Sequence, residues 1–409
     1  MSSFSPSSTL DPASQRQPYP LPGELLVLDY RKTHGAADVT DELARPLRVV
    51  QWNVERNYEA DAVLEELRRL DADIYFLQEI DIGCTRSGGR DHFTDLCRGL
   101  ECLGGFVCEF EELDSPLRNA ANAGGGVHGN AILTRFPATF RGLQHVPEAF
   151  DWENRGSRLG EPRRGSRYAC VGSIQVPWME EPILGYSVHL EVFCGIVGRV
   201  GEFSAVMHDA HNHARTHPHQ LIFGDLNTMA HSIARLSPWF AQDRYRLLSL
   251  GWTEAAWWHT HVLGYHVEDG PVNTLLGRGW SEKVAGRARN DGFWDPWDPV
   301  KDITICPKAY RGMFSGKLDW TLLRGWEVRD QEMGNDGYAL SDHRWLMLDI
   351  VPDRVEGGAV GALELWKDRR ILRSRARGGY GLSLWNLAGQ GLFIAGVIKV
   401  LGHLWKMRG

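Results

Sequence analysis

Six short motifs of the 409-residue chain set carboxylates, amides and imidazoles beside short apolar runs. They are Gln51-Trp52-Asn53, Leu77-Gln78-Glu79, Ser187-Val188-His189-Leu190, Gly224-Asp225-Leu226-Asn227, Leu318-Asp319-Trp320 and Leu340-Ser341-Asp342-His343. Side chains at strand ends are aimed into a crevice outside a sheet. Singly, each motif has a structural explanation: Asn53 bonds nearby backbone in a turn, Glu79 ends a strand in solvent, and an Asp-His pair arises by chance. Together, in this order, they suit hydrolysis of a phosphoester, which is slowed by repulsion between the anionic phosphate and a nucleophile. Mg²⁺, with Mn²⁺ as its alternative, needs one or two carboxylates and an amide, and Glu79, Asp342 and Asn53 supply them. Asp225 is suited to orient or deprotonate the attacking water, with Asn227 holding that water or a phosphate oxygen. His343 offers a donor to a phosphate oxygen, with Asp319 fixing its tautomer. His189 is the other proton donor, to the leaving group or the phosphate.

Holding these motifs together requires a series of strands. Apolar runs of strand length begin at Leu47, Ile74, Ala131, Tyr168, Ile183, Leu221, Leu318 and Trp345. Val63, Leu64, Leu67 and Leu70 fall on one helical face within Asp61 to Leu70, and Gly201 to Ala214 is a second helix candidate. The strand-helix-strand order and the many brief strands predict an α/β sandwich, two sheets face to face with helices outside. The expected organisation is a flexible leader and lead-in over 1–44, a single catalytic domain over 45–352 and a C-terminal tail over 353–409. Tyr265 to Pro307, rich in Gly and Trp, reads as an ordered functional loop.

In these motifs the chain resembles the endonuclease/exonuclease/phosphatase superfamily, whose members include deoxyribonuclease I-like nucleases, neutral sphingomyelinases, deadenylases and inositol polyphosphate phosphatases. Gly224-Asp225-Leu226-Asn227 and Ser341-Asp342-His343 carry the resemblance most specifically. It implies a four-layer α/β sandwich of two mixed sheets with one active site at one end. It also implies Asn53, Glu79 and Asp342 at the metal, Asp225 and Asn227 at the nucleophile, Asp319 and His343 as a supporting pair, and His189 as the catalytic histidine. Gly129-Asn130-Ala131-Ile132-Leu133, followed by Arg135-Phe136-Pro137, resembles the family strand ahead of that histidine. Near Leu318-Asp319-Trp320-Thr321 the chain departs from the inositol phosphatases, which carry Trp-Thr-Asp-Arg there.

Other features bound the substrate. A net charge of -7 opposes global attraction to nucleic acid but leaves room for a local basic cleft. Arg155, Arg158, Arg163, Arg164 and Arg167 crowd one segment, so Arg164 and Arg167, with Asn130, are candidate substrate contacts. His208, His211, His213, His217 and His219 read as a polar helix terminus rather than a zinc site. Trp257, Trp258, Trp280, Trp294 and Trp297 either pack or stack on substrate. The seven cysteines show no paired metal spacing and read as reduced, buried thiols. Met1 to Pro20 has no apolar run, so no secretion signal is expected and the location is read as cytoplasmic. The basic stretch Lys367 to Arg377 precedes an uncharged one, which suits either membrane contact through 378–405 or packing onto the catalytic domain. The expected function is Mg²⁺-dependent phosphodiester hydrolysis of nucleic acid or a phospholipid headgroup. The alternatives are a phosphomonoesterase acting on an inositol phosphate or other small phosphate, and a non-catalytic scaffold. The oligomeric state is left open.

Overall fold

The computed structural model describes residues 19–32, 45–228, 254–264, 286–288, 290–306 and 315–353. The tail, with its stretch 378–405, and Trp280 lie outside the described residues. Among the described residues no helix is long and apolar enough to cross a membrane.

Two mixed sheets form the frame. The first contains β1 (Leu25–Asp29), β2 (Leu47–Asn53), β3 (Ile74–Ile82), β4 (Leu103–Glu112), β5 (Val127–Thr134), β7 (Arg163–Gly165), β12 (Trp326–Gly334) and β13 (Trp345–Pro352). Its order is β1-β4-β5-β3-β2-β13-β12, with β7 paired to β4. The second contains β6 (Ala138–Gln144), β8 (Tyr168–Ile174), β9 (Ile183–His189), β10 (Gln220–Asp225) and β11 (Asp319–Arg324), in the order β11-β10-β9-β8-β6. Pairing is antiparallel except between β2 and β3 and between β9 and β10. The sheets meet through apolar side chains such as Phe76 and Phe223, whose ring centroids are 4.8 Å apart. Each fully buried large side chain of this kind contributes roughly 2–3 kcal/mol.

Helices cover the outer faces. In α1 (Ala60–Leu70), Val63, Leu67 and Leu70 are buried, and the helix ends at Asp71 in the left-handed conformation. The short helix α2 (His92–Gly99) is capped by Asp91, whose side chain accepts from the Thr94 N–H. A single turn, α3 (Trp152–Arg155), lies between β6 and β7. On the second sheet, α4 (Ile196–Asn212) buries Val200, Phe203, Val206 and Ala210, and α5 (Glu254–His261) packs Trp258 against Phe203.

The sandwich is the expected one, with differences of detail. Sheet structure begins before residue 45, because Leu25–Asp29 pairs with β4. The β3 strand does not stop at Leu77: it continues to Ile82 through an irregularity between Leu77 and Ile80, where Glu79 has φ 60°. Such a bulge re-aims one side chain out of the pleat. Asp342 and His343 precede β13 rather than follow a strand. The strands β4, β6 and β12 lie outside the expected set, and α4 starts at Ile196, ahead of Gly201.

Candidate active site

The motif residues converge where several strands end in the same row. Asp225 sits opposite His189 on one side and Asp319 on the other. In the other sheet, Asn53 at the end of β2 sits beside Gln78 of the neighbouring strand β3. Asn53 Nδ2 donates to Glu79 Oε1 and to Asp225 Oδ2, each at 3.1 Å, which ties the sheets together at the site. Asp225 Oδ1 accepts from the Asn227 N–H at 2.8 Å, a turn that places Asn227 at φ 48°. Ser341 Oγ donates to the Asn53 carbonyl at 2.7 Å and accepts from the His343 N–H at 3.0 Å, so β2 fixes the loop that carries Asp342 and His343. His343 Nδ1 donates to Asp319 Oδ2 at 2.8 Å. His343 Nε2 then lies 3.7 Å from Asp225 Oδ2, and His189 Nε2 lies 3.6 Å from the same oxygen.

Of these residues Glu79, His189, Asp225, Asn227, Asp342 and His343 line a cleft of about 360 Å³, together with Glu55, Arg56, His128, Glu161, Arg163 and Arg167. Its electrostatics follow from burial and crowding. Burial, with Asp319 and Glu79 nearby, pushes the Asp225 carboxyl up to about 7. Burial also raises Glu55 to about 7, reinforced by Asp342 and Glu79. Burial with Glu79 and Asp319 raises Asp342 as well. Glu79 is held below its ordinary value: burial opposes this, but Arg56, His128 and the Asn53 amide outweigh it. For His343, burial is outweighed by Asp319, Asp225 and Asp342, which hold the imidazole protonated well above its ordinary range. His189 goes the other way, well below it, through burial and the adjacent Arg167.

The oxygen donors fit a divalent cation. Two sets of residues bring ligand-type atoms within 4.8 Å, Asp225–Asp319–His343 and Glu109–His128–His189. The first is closed by the Asp319–His343 hydrogen bond. The second is filled by Arg167, which donates to Glu109 Oε2 at 3.1 Å and to His189 Nδ1 at 3.0 Å. The carboxylates of Glu55, Glu79 and Asp342 remain open to the cleft beside the Asn53 amide, a hard-oxygen set in which burial first, and then the neighbouring carboxylates, raise Glu55 and Asp342.

The structure separates the other candidates. Arg167 reaches the cleft. Arg164 is exposed and pairs with Glu111 outside it. Asn130 is buried and donates to the Tyr168 carbonyl at 2.9 Å, and it does not line the cleft. The Asn227 amide is turned to the Leu190 carbonyl at 2.7 Å. His211, His213 and His217 bond to Asp291, to the Asp209 carbonyl and to Ser173, with no metal grouping there among the described residues. Trp257, Trp258, Trp294 and Trp297 are buried packing groups. The cysteines are free thiols, all buried except the half-buried Cys306. Sequence reasoning missed Glu55, Arg56, His128 and Glu161. Glu55, two residues after Asn53, was within reach of the motif reading; the others come together only through contacts distant in sequence, such as Arg56 with Glu161 and Asn122.

A model of the Endonuclease/Exonuclease/phosphatase family matches residues 50–343. The chain belongs to this family. Its members are hydrolases of phosphoester bonds that usually use divalent metals. An endonuclease/exonuclease/phosphatase from Beutenbergia cavernae DSM 12333 is 16% identical over 76% of this chain and 72% of that one, with a TM-score of 0.45. The human nocturnin catalytic domain with bound sulfate is 15% identical over 83% of this chain and 100% of its own, with a TM-score of 0.44. A mannosyl-6-phosphatase from Bacteroides thetaiotaomicron VPI-5482 is 11% identical over 75% and 99%, with a TM-score of 0.40. No curated protein matches.

Proposed function

We propose that the protein is a Mg²⁺-dependent phosphodiesterase acting by in-line attack of water, on nucleic acid or a phospholipid headgroup. The observation that carries this reading is the convergence on Asp225 Oδ2 of Asn53 at 3.1 Å, His189 at 3.6 Å and His343 at 3.7 Å. Asp225 takes a proton from water as the new O–P bond forms and the bond to the leaving oxygen breaks. Asn53 orients Asp225, and the protonated His343 donates through Nε2 to a phosphate oxygen. Arg167 donates to His189 Nδ1, so the neutral His189 ring carries its hydrogen on Nε2 and offers it as a second donor. Asn53, Glu55, Glu79 and Asp342 would hold the cation, which neutralises phosphate oxygens and supports the leaving oxygen when bound.

The donors of the cleft favour a diester. The carboxylates of Glu55, Glu79, Glu161, Asp225 and Asp342 face Arg56, Arg163, Arg167 and the His343 imidazolium. The imidazoles of this cleft can serve a leaving oxygen that needs a proton, as a diester's does. The test is hydrolysis of bis-p-nitrophenyl phosphate and p-nitrophenyl phosphate with Mg²⁺, alongside nucleic-acid, sphingomyelin and inositol-phosphate panels. Diester cleavage that EDTA and Asp225→Ala both abolish is expected. Activity confined to monoesters would reassign the substrate class, and equal inertness of wild type and variant on every substrate would leave only a scaffold.

A further inference from the structure

Breaking the ester requires a proton for the leaving oxygen, and the surroundings of His189 unsuit it for that step. Its Nδ1 is occupied as an acceptor by Arg167, and the guanidinium presses against the ring at 3.0 Å. A ring held neutral in this way gives a hydrogen bond through Nε2, not a proton. His343 is committed to Asp319 on one side and faces Asp225, which receives the proton from water.

A further imidazole lines the same cleft. His128, the second residue of β5, is 3% exposed. Its Nδ1 lies 2.8 Å from Asp81 Oδ1. Arg86 grips both Asp81 oxygens at 2.8 Å each, and Ser87 Oγ donates to Asp81 at 3.0 Å. An ionised carboxylate only accepts, so Nδ1 carries hydrogen and donates to Asp81, and the longer 3.4 Å approach of Arg86 Nη2 to Nδ1 is not a hydrogen bond. Among the described residues no hydrogen bond occupies Nε2. The ring is faced by Glu79 and Asp81 from β3, Glu109 and Glu112 from β4, Arg86 behind it, His189 from the opposite sheet and Arg167 from the link between β7 and β8. The cleft therefore contains a second aspartate–histidine pair with the same 2.8 Å bond as Asp319–His343, and its outer nitrogen is free.

We infer that His128 is a catalytic residue: entering the step as the imidazolium, with Nδ1–H held by Asp81, it delivers its Nε2 proton to the leaving oxygen as the P–O bond breaks. The water proton taken by Asp225 balances the step. The inference rests on the phosphoesterase reading and adds a residue to that site.

A leaving-group comparison tests it. In His128→Asn the amide nitrogen stands where Nδ1 stood and keeps the bond to Asp81, while the outer nitrogen is lost. p-Nitrophenolate departs without a proton, whereas phenolate and alkoxides need one. With Mg²⁺, His128→Asn is expected to lose roughly 10²–10³-fold more on diphenyl and dialkyl phosphates than on bis-p-nitrophenyl phosphate. The ratio of the two rates within one variant cancels any loss of folded protein, and His128→Gln provides a second reading of it. A ratio unchanged from wild type in both variants would overturn the role of His128 while leaving the phosphoesterase reading intact. A wild type inert on all these esters would remove both.

Discussion

Replacing Asp319 by Asn probes how the two sheets set the charge of the active site. Asp319 is fully buried; its Oδ2 accepts from His343 Nδ1 at 2.8 Å, and its Oδ1 accepts from Gln51 Nε2 at 2.9 Å. A carboxylate serves both donors, but an amide has one oxygen, so either orientation of the substituted amide leaves one donor facing another. The stability cost of that mismatch is about 1–3 kcal/mol. It stays below the usual penalty for breaking a buried ion pair because His343 can release its proton. The larger effect falls on catalysis. Without Asp319 the imidazole loses the partner that holds it protonated, and its charged donation to the phosphate oxygen in the transition state disappears. That loss is about 3–4 kcal/mol, or about 10²–10³-fold in kcat.

The pH dependence carries a sign. His343 is raised in the folded wild type, so the stability it contributes is fully present below its unfolded value of about 6.5 and is lost as pH rises through the folded value. The stability gap between wild type and Asp319→Asn should therefore be widest in acid and narrow in alkali. The alkaline limb of kcat should move down toward neutrality in the variant. Steady-state hydrolysis of bis-p-nitrophenyl phosphate with Mg²⁺ from pH 5 to 10, and urea unfolding over the same range, measure both. A variant within threefold of wild type, with its alkaline limb unmoved, would refute the assignment of charge to His343.

Two further substitutions test the scaffold around the site. A Cβ on Gly224 would collide with the Val188 carbonyl oxygen, so Gly224→Ala forces β9 and β10 apart beside Asp225; a loss of at least about 3 kcal/mol in denaturant unfolding is expected, and a loss below about 1 kcal/mol would show that the strands yield freely. Glu202 is fully buried, and burial and then Glu191 push its carboxyl up to about 8, so the folded state loses stability as pH climbs from about 4.5 through 8, by roughly 5 kcal/mol in full. Glu202→Gln cannot ionise; urea unfolding at pH 5 and pH 8.5 should show a flatter pH dependence than wild type, and an unchanged slope would place the titration elsewhere.

How legible each element was depends on what its side chains face. Helix α1 was readable because Val63, Leu67 and Leu70 meet a sheet on one side and solvent on the other. The start of α4 was not: buried Arg199 forms its ion pair with Glu254 at 2.7 Å, and buried Glu202 bonds the Glu191 N–H, so charged residues stand on the inner face. Strand β4 was hidden by Gly104 and Gly105 and by Glu109 and Glu112. The glycines leave room for Phe93 and Phe140, and the glutamates are matched by Arg167, Arg86 and Arg163 from distant parts of the chain. The polar edge strand β12 has no inward alternation to announce it. Motif residues were legible because their types are matched to chemistry; Arg56 and His128 became visible only once folding gave them neighbours.

The register of the sheets explains why so many functional groups meet at one oxygen. His189, Asp225 and Asp319 form one cross-strand row of the second sheet, and Asn53 and Gln78 form one row of the first. A buried polar chain links the rows: Gln51 donates to Asp319 and to Gln78, Gln78 donates to Ser187 Oγ, and Ser187 donates to the Leu77 carbonyl. A slip of one residue in β10 would turn Asp225 to the opposite face, and a slip in β2, β3, β9 or β11 would turn that strand's member of the polar chain away from its bonding partner. The interior polar chain therefore opposes register slippage, because each misaligned state would strand several buried donors at about 1–3 kcal/mol apiece. The same bonds that align Asp319 with His343 thus exclude the alternative pairings in which no active site forms.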